Sequence, residues 1–407
     1  MWKIHGKFYD LDEFLDNHPG GRVILESSKG NDDATAAFES YHAMSDMKKI
    51  KTIMKKYEVS DCDEEFNFKE NGFYNILKSK VKSYFTTNNI DHHSNYYWIL
   101  KSIIQSVLYI YSFIILCYYD VPFFYKLIIG FFSGHMCMQV GFGIMHDASH
   151  GGISKNHKWN DFLSKTWSSL ALWDDQLWRR HHCFRHHSFT GTTKDPDTLH
   201  FSPFIRKSEN EKPSKYLNYT SNLFYLFILS VFPGMWLGQV LSYLRWFVRK
   251  HLWRVTLEKY YFSFYETFLK LFTVFSLIYS GNFFVAYSFV VGINVTYFLC
   301  ILPDHDTFET HNNLCDKEKD WGELQVRNSG NFSTNCWWIN DIFGGINYQI
   351  EHHLFPSICH VHFPKIKEIV KNTCLEFDIP YVDHETMYSA VKSSFVSFKN
   401  IAKVKSS

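Results

Sequence analysis

The stretch "FFYKLIIGFFSGHMCMQVGFGIMHDASH", residues 123–150, decides the fold of this chain. Its first part, 123–145, carries a single charged residue and is long enough to cross a bilayer as one helix. His146 and His150 follow at once and lie four residues apart, so on a helix both side chains face the same way. The stretch therefore predicts a membrane helix that ends in a pair of histidines.

Three more apolar runs of similar length accompany this one. They cover residues 97–119, 261–280 and 283–302. Only "DVP" joins the first of them to 123–145, and only Gly281 and Asn282 join the other two, so the runs form two tight hairpins. The alternative is a buried helical hairpin in a soluble protein, but two matched pairs of this length favour four transmembrane helices.

A fifth apolar run, 221–244, contains Pro233 and leads into the basic and aromatic segment "LRWFVRKHLWR". That composition is typical of a helix that lies in the membrane interface. Histidine clusters occur before residue 190 and after residue 304, and they can share one site only if an even number of spans separates them. Tryptophans and basic residues around 167–180 and 245–254 indicate that the shared side is cytosolic.

The composition excludes some classes of function. The chain has 407 residues, with 42 Lys and Arg against 41 Asp and Glu, so its net charge indicates no nucleic-acid partner. Its nine cysteines include no C-x-x-C pair, which fits a reducing, cytosol-facing protein. The polar N-terminus lacks the apolar segment of a secretory signal. The chain is long enough for one large membrane unit and a small module.

Histidines occur in three clusters with helical spacing. Besides "HDASH", the segment "WRRHHCFRHHSFTG" places His182, His186 and His187 together, and "INYQIEHHLFP" places Gln349, His352 and His353 at i, i+3 and i+4. His181 would point to another face and is left out, whereas "DHHS" at 91–94 and "HVH" at 360–362 are expected to be structural or on the surface. Three clusters near the cytosolic ends of spans predict one shared metal site.

The number of imidazoles indicates which metal the site binds. Seven exceed the ligands that one ion can use, and a structural zinc takes four ligands and favours cysteine. Imidazole also suits iron, so we expect two irons with positions open for oxygen. His305, just beyond the last span, is added as an eighth ligand. Gln349 carries a neutral amide, a poor iron ligand, and is expected to leave a more open position or to bind a water molecule.

A separate motif lies at the N-terminus. "DNHPGG" at 16–21 forms a tight turn that presents His18, and His42 follows 24 residues later. Two imidazoles that approach from opposite sides can bind a haem iron and leave no open position, which makes an electron carrier. The alternative is that the motif is only a turn. However, "GKFYDLDEFLDNHPGG" resembles the core of cytochrome b5, which implies haem b with His18 and His42 as axial ligands. The first strand and helix of that family are expected to be missing here.

The three clusters resemble the histidine boxes of membrane fatty acid desaturases. The fused haem module and the glutamine of "QIEHHLFP" are similar to the front-end class, and the resemblance extends through "DPDT" at 195–198 and "DWGELQV" at 320–326. Gly191 and Asp304 stand where asparagine is common. The resemblance implies a di-iron centre with these ligands: His146, His150, His182, His186, His187, His305, His352 and His353.

The resemblance also implies the architecture. It is an α-helical integral membrane desaturase fold, with four transmembrane helices, interfacial helices and a cytosolic cap, preceded by a small α+β cytochrome b5-like domain. The expected domains are 1–60 for the haem module, 61–96 for a linker and amphipathic helix, and 97–407 for the desaturase. In the linker, Phe73, Leu77 and Val81 recur at helical spacing among lysines, which predicts a helix on an anionic membrane surface. Pro364 is expected to open a helix with Ile366 and Val370 on one face.

By the same resemblance, the protein inserts a cis double bond between an existing double bond of a polyunsaturated acyl chain and its carboxyl end. It would use O2 and electrons from a cytochrome b5 reductase, act on an acyl-CoA or a phospholipid, and lie in the endoplasmic reticulum membrane with its histidines and haem on the cytosolic side. "KDPD" and the H-x-x-x-H-H spacing favour delta-5 or delta-4 over delta-6. The alternatives are a sphingolipid long-chain-base desaturase, a fatty acid hydroxylase, and a non-catalytic membrane haem electron carrier, against which the intact histidine set argues.

Overall fold

The computed structural model describes residues 1–66, 68–199, 207, 251–252, 255–256, 262–313 and 320–403. The fifth apolar run, 221–244, lies outside the described residues, as does most of the basic and aromatic segment that follows it. Every cysteine in the described ranges is free, in keeping with their scattered spacing.

Helices dominate the described part of the chain. The strands are β1 Trp2–Ile4, β2 Lys7–Tyr9, β3 Glu58–Asp61, β4 His251–Leu252, β5 Val255–Thr256, β6 Asn331–Phe332 and β7 Asp383–His384. The α-helices are α1 Arg22–Ser28, α2 Thr35–Tyr41, α3 Met47–Met54, α4 Phe73–Thr87, α5 Tyr96–Tyr118, α6 Phe123–Val140, α7 Asp147–Ser149, α8 His157–Leu170, α9 Asp175–Trp178, α10 His187–Phe189, α11 Phe264–Tyr279, α12 Phe283–His305, α13 Phe308–Asn313, α14 Trp321–Arg327, α15 Trp337–Ile342, α16 Gln349–Leu354, α17 Phe363–Glu376 and α18 Met387–Lys403. Short 3-10 turns cover Asp12–Asn17, Lys55–Tyr57, Pro196–Leu199 and His360–His362, and π-helical turns cover Gly141–His146 and Arg179–His186.

The N-terminal module is a three-stranded antiparallel sheet in the order β1-β2-β3, with α1, α2 and α3 around it. His5 and Gly6 both have positive φ, which is the backbone of a tight two-residue hairpin turn between β1 and β2. Trp2, Leu15 and Phe38 are buried in its small core. The Asp46 side chain accepts from two backbone N–H groups of α3 and caps that helix.

Helix α4 is amphipathic, but it does not lie on a membrane surface. Its apolar face, with Leu77 and Val81 fully buried, packs against α14 and α17. Burying each of these side chains contributes about 1.5–3 kcal/mol, and here protein supplies that burial. The lysines that suggested anionic lipid contact protein instead: Lys78 Nζ lies 2.5 Å from Glu39, and Lys80 Nζ lies 2.6 Å from Glu376. The expected membrane-surface position is therefore wrong.

Three helical segments in the described residues are long and apolar enough to cross a membrane: Tyr96–Tyr118, Phe123–Ser149 and Phe283–His311. They match three of the four predicted runs. Asn95 and Asn282 cap α5 and α12, each accepting a backbone N–H at 2.9 Å, so each span begins at the turn residue before its apolar run. The fourth run forms α11, whose 16 residues are shorter than a full crossing requires, and the count of four spans is not confirmed.

Helices α6 and α12 pack with their backbones in contact. A Cβ atom at Gly134 would lie 2.0 Å from the Phe289 carbonyl oxygen, and one at Gly292 would lie 2.1 Å from the Phe131 carbonyl oxygen. Small residues permit this close approach, which supplies packing where lipid offers no hydrophobic driving force between helices. The pair forms a rigid base from which the first histidine pair and His305 both project.

The C-terminal part of the chain covers the ends of these spans. Helix α17 begins at Phe363 with Pro364 in its first turn, and Ile366 and Val370 are buried, as the sequence predicted. Strands β6 and β7 pair in parallel beside α16, the helix that carries the third histidine cluster.

Candidate metal and haem sites

Two of the three histidine clusters lie on π-helical turns. His146 ends the turn Gly141–His146, and Arg179–His186 contains His182 and His186. A π turn bonds i to i+5, so it opens wider than an α turn and is frequent at functional sites. As a result, His186 and His187 both point inward from the same segment but reach different partners. The i, i+4 argument from the sequence assumed ordinary α-helix at these positions.

The first group of converging imidazoles consists of His146, His150, His182 and His352, and all four side chains are buried or nearly so. Their ligand nitrogens lie within 4.8 Å of one another. Nε2 of His146 lies 3.0 Å from Nε2 of His182. Three sequence segments therefore meet at one point, since α16 brings the third cluster against the first two.

The second group consists of His186, His305 and His353, whose ligand nitrogens also lie within 4.8 Å of one another. His187 lies between the groups: it shares a ligand cluster with His352 and His353, and its Nε2 is 3.2 Å from Nε2 of His182. All eight histidines expected from the sequence are thus brought together. His181 lies outside both groups, with Nε2 2.5 Å from an oxygen of Asp197.

Each ligand of the second group donates its Nδ1–H to a fixed partner. His186 faces the Asp195 carboxylate at 3.0 Å, His305 the Asn328 carbonyl oxygen at 2.7 Å, and His353 the Gln325 amide oxygen at 2.9 Å. Such partners hold the ring and its tautomer so that the Nε2 lone pair faces a metal. The arrangement is what a metal centre requires and what a packed polar core does not need.

Burial also keeps most of the clustered imidazoles neutral. It lowers the pKa of His150, His182, His187 and His352 well below the usual value, so these imidazoles are neutral and can donate a lone pair. His186 is the exception: burial lowers its pKa, but the Asp195 and Asp197 carboxylates outweigh burial and raise it to about 9. A cation at Nε2 would take the place of that proton.

Several buried polar atoms of the cluster residues have no hydrogen-bond partner in the described part of the chain: His146 Nδ1, His187 Nδ1, His352 Nε2 and Gln349 Oε1. Unsatisfied buried polar atoms are costly and usually indicate an ion or a ligand. The residues present therefore fit metal binding by imidazole.

Gln349 lies within the second group. Its amide Nε2 is 2.8 Å from Nε2 of His305 and 3.1 Å from Nε2 of His353. The side chain thus stands where a third ligand from this helix would stand, at the position that the sequence predicted to be more open.

The haem pair is also assembled. The rings of His18 and His42 have centroids 6.2 Å apart and are nearly perpendicular, which leaves a gap that one ion between facing nitrogens would fill. His42 Nδ1–H donates to the Phe38 carbonyl oxygen at 2.7 Å and so directs Nε2 outward. Burial and the neighbouring His42 lower the pKa of His18 to about 4, so its ring is neutral. These residues fit axial ligation of a haem.

Comparison with known proteins identifies the family. Residues 122–385 match the family model "Fatty acid desaturase", and residues 1–63 match "Cytochrome b5-like Heme/Steroid binding domain".

This chain belongs to the fatty acid desaturase family.

Its relatives are front-end acyl-lipid desaturases that span nearly the whole chain. An "Acyl-lipid (8-3)-desaturase" of Physcomitrium patens is 29% identical, covering 98% of this chain and 87% of the relative. One of the same description from Mortierella alpina is 28% identical over 96% and 91%. A "Probable Delta(5) fatty acid desaturase C" of Dictyostelium discoideum is 27% identical over 97% and 90%. This desaturase is an oxidoreductase of lipid metabolism, and its cytochrome b5-like domain supports electron delivery.

The family implies haem in the N-terminal module, iron at the histidine clusters, an acyl-lipid substrate and a membrane-bound enzyme. The backbone explains why glycine can replace the common asparagine at residue 191 of this desaturase. Gly191 has φ +71° and donates its N–H to Asp195 at 2.8 Å. Glycine and asparagine are the residues that tolerate this left-handed backbone, so either can close the turn.

Sequence reasoning missed the residues that act behind the ligands. Asp195 lies in the quoted "DPDT" and Gln325 in "DWGELQV", but nothing in their spacing tied them to His186 or His353. Tyr41 was also missed, although it precedes His42. His360 was expected to be structural or on the surface, and it is fully buried between Asp147 and Lys101, 2.6 Å from each.

Proposed function

We propose that this desaturase introduces a delta-5 cis double bond into a polyunsaturated acyl chain, between an existing double bond and the carboxyl end. One observation carries the proposal: eight buried or partly buried imidazoles converge in two groups joined by His187, next to a haem-type histidine pair. Relatives named "(8-3)" and "Delta(5)" favour delta-5, whereas others are named "6-desaturase" and "(7-3)".

We assign the ligands to two irons. His146, His150, His182 and His352 would hold one, and His186, His305 and His353 the other, with His187 between them. When bound, the irons supply the O2-dependent oxidation that removes two hydrogens from adjacent methylenes. Gln349 supplies no imidazole to the second set, and we propose that its neutral amide, which contacts His305 and His353, can give way to a small ligand at that position.

Other residues of the chain fix the orientation of these histidines. Asp195, Asn328 and Gln325 keep the Nδ1 protons of their histidines in place, so the three Nε2 atoms are the ones that would bind metal. The Gln349 amide, which contacts two of these atoms here, would have to turn away from them. Burial excludes bulk water, which protects the reaction from side products. Unactivated methylenes offer no polar group to bind, so positioning of the chain by apolar walls must select the carbon pair.

Electrons would enter through the haem held by His18 and His42, supplied by a cytochrome b5 reductase, with O2 as the oxidant. We assign residues 1–60 to the haem domain, 61–96 to the linker and α4, and 97–407 to the desaturase domain. Helix α11 exposes Phe264, Phe268 and Phe275 on its surface, which supports a fourth membrane segment paired with α12. We place the histidines on the cytosolic side of the endoplasmic reticulum membrane.

The test is expression of the full chain in a host fed polyunsaturated acids whose first double bonds differ in position. Fatty acids are then analysed by gas chromatography with mass spectrometry of double-bond derivatives. The expected result is a new delta-5 double bond, and iron analysis of the purified protein should give two non-haem irons per chain in addition to the haem iron.

Other products would replace this proposal by another one. A 2- or 3-hydroxy acid would make the protein a hydroxylase, and a desaturated long-chain base would make it a sphingolipid enzyme. Full haem reduction by a reductase without any lipid product would leave an electron carrier. The variant His186→Ala, expressed at the same level, controls for activity of the host.

A further inference from the structure

The haem module sits directly on the second histidine cluster. Ala37 of α2 packs with Cys183 and Phe184 in a small buried cluster that Ile24 and Tyr41 border. Asn31 Nδ2 donates to the Phe184 carbonyl oxygen at 3.2 Å. The haem module therefore contacts the second histidine cluster through both apolar packing and a hydrogen bond. No single side chain makes the whole contact.

Helix α2 ends between the two metal sites. Tyr41 is its last residue and His42 follows, and consecutive side chains on a helix point about 100° apart. His42 turns toward His18, whereas Tyr41 turns toward the histidine clusters. Its ring stacks on that of His150, with centroids 5.9 Å apart and planes 17° apart.

The Tyr41 hydroxyl binds the outer nitrogen of His150. The Oη–Nδ1 distance is 2.6 Å, and Oη lies 3.4 Å from the Cys183 carbonyl oxygen. The hydroxyl can donate to that carbonyl and accept the Nδ1–H of His150, which leaves Nε2 of His150 free for metal. Carboxylates and backbone carbonyls usually play this part, so a phenol supplied by another module is an unusual outer partner.

We infer that Tyr41 is a positioning residue: it orients His150 by one hydrogen bond, and as the chain neighbour of His42 it places the haem-side histidine next to the metal-side one. The inference rests on the proposed function, since it needs haem and iron at their assigned sites. If His18 and His42 held a haem and His150 held an iron, the haem would supply one electron and the iron would accept it, and Tyr41 would hold His150 in place between them. No bond forms or breaks, and Tyr41 keeps its proton.

The test uses the full chain in detergent, loaded with haem and iron. The haem is reduced without oxygen and then mixed with oxygenated buffer that contains the acyl substrate, and its oxidation is followed by stopped-flow absorbance. Loss of an outer partner typically costs ~10–100-fold, so we expect haem oxidation in Tyr41→Phe to slow at least ~10-fold. Turnover should fall in kcat with KM for the acyl substrate unchanged, while the haem spectrum and iron content stay as in the wild type.

Two matched variants separate the hydroxyl from docking in general. Tyr57→Phe removes the same atom from a tyrosine that packs on Phe14 in the same module, and it should behave as the wild type. Asn31→Ala removes the docking bond to Phe184 and leaves Tyr41 in place, and it should retain fast haem oxidation. If Asn31→Ala is as slow as Tyr41→Phe, the contact matters only for docking and the inference is overturned.

The remaining outcomes are also decisive. Wild-type rates in Tyr41→Phe, or loss of iron from that variant, would overturn the coupling role. A wild-type protein whose haem oxidation does not respond to any acyl substrate, and which makes no product, would count against the proposed function itself. The two failures are therefore distinguishable.

Discussion

The haem pair, His18 and His42, and the box centre, the eight histidines of the two converging groups, both consist of imidazoles but arrange them differently. His18 and His42 lie within one small module, 24 residues apart in the chain, and face each other across a single gap. The box histidines come from four segments between residues 146 and 353, and they form two overlapping groups. Two facing imidazoles close a coordination sphere, which suits electron transfer, whereas a wider set with an amide beside it leaves room for a reactant.

The outer partners of the histidines differ as well. In the haem pair, His42 binds a backbone carbonyl of its own helix. In the box centre, the partners are side chains and a carbonyl from other segments, and one of them, Tyr41, belongs to the haem module. The reactive centre thus depends on tertiary contacts that the electron carrier does not need.

The largest effect on activity is expected from His186→Ala, which removes one histidine from the second group. We expect product formation to fall by more than ~100-fold, because loss of an outer partner alone costs up to that much. The haem spectrum should be unchanged. His181→Ala is the adjacent control, since His181 lies outside both groups, and it should retain most activity. Activity in His186→Ala would disprove the metal assignment.

The converse variant is His42→Ala, which should abolish the haem absorption because a b-type haem needs both imidazoles. Reductase-driven product formation should fall to the level of uncoupled reduction, while the non-haem iron content stays near that of the wild type. Spectra and metal analysis on the same sample check both points. Retention of a six-coordinate haem spectrum would show that another residue is the ligand.

Asp195→Asn tests the groups that bind Nδ1 of the clustered histidines. The substitution removes the charge that raises the pKa of His186, and we expect iron affinity or activity to fall ~10–100-fold. Iron titration of the apoprotein measures it. Asp197→Asn should have a smaller effect, since that carboxylate lies 3.4 Å from His186 Nδ1 rather than 3.0 Å. Equal effects would mean that charge alone matters and the hydrogen bond does not.

Gln349→Ala tests the residue that distinguishes the third cluster. It removes the amide that contacts His305 and His353, so we expect activity to fall ~10-fold, at the lower end of what such partners contribute. Product yield per iron is the measurement. Wild-type turnover would show that Gln349 marks the family without taking part in the mechanism.

The smallest expected effect concerns the join between the haem module and α4. Burial alone would raise the pKa of Glu39, but His5 and Lys78 lower it to about 2. A lowered carboxylate pKa contributes stability above the unfolded value of 4.5, and this contribution is lost as pH falls toward 2. Thermal unfolding followed by haem absorption should therefore depend less on pH between 5 and 3 in Glu39→Gln than in the wild type. Parallel pH profiles would contradict the assignment.

Much of the fold could be read from local patterns. Long apolar runs and turn residues such as Asn282 predicted four spans, three of which the structure shows as helices long enough to cross a membrane. Pro364 predicted the C-terminal helix that it opens, since hydrophobicity and capping act over a few residues. The partner of α4 could not be predicted in this way. An apolar stripe shows that a helix has something to bury, but lipid and protein satisfy it equally well in the sequence.

The sequence by itself determined which side chains could bind metal: their imidazoles, their helical spacing and their position after membrane spans are local properties. Only the tertiary structure decided how they group, because a π turn sends His186 and His187 to different partners. It also decided which residues stand behind the ligands. Asp195, Gln325 and Tyr41 reach their histidines through hydrogen bonds whose geometry depends on how separate segments pack, and no spacing along the chain encodes that distance.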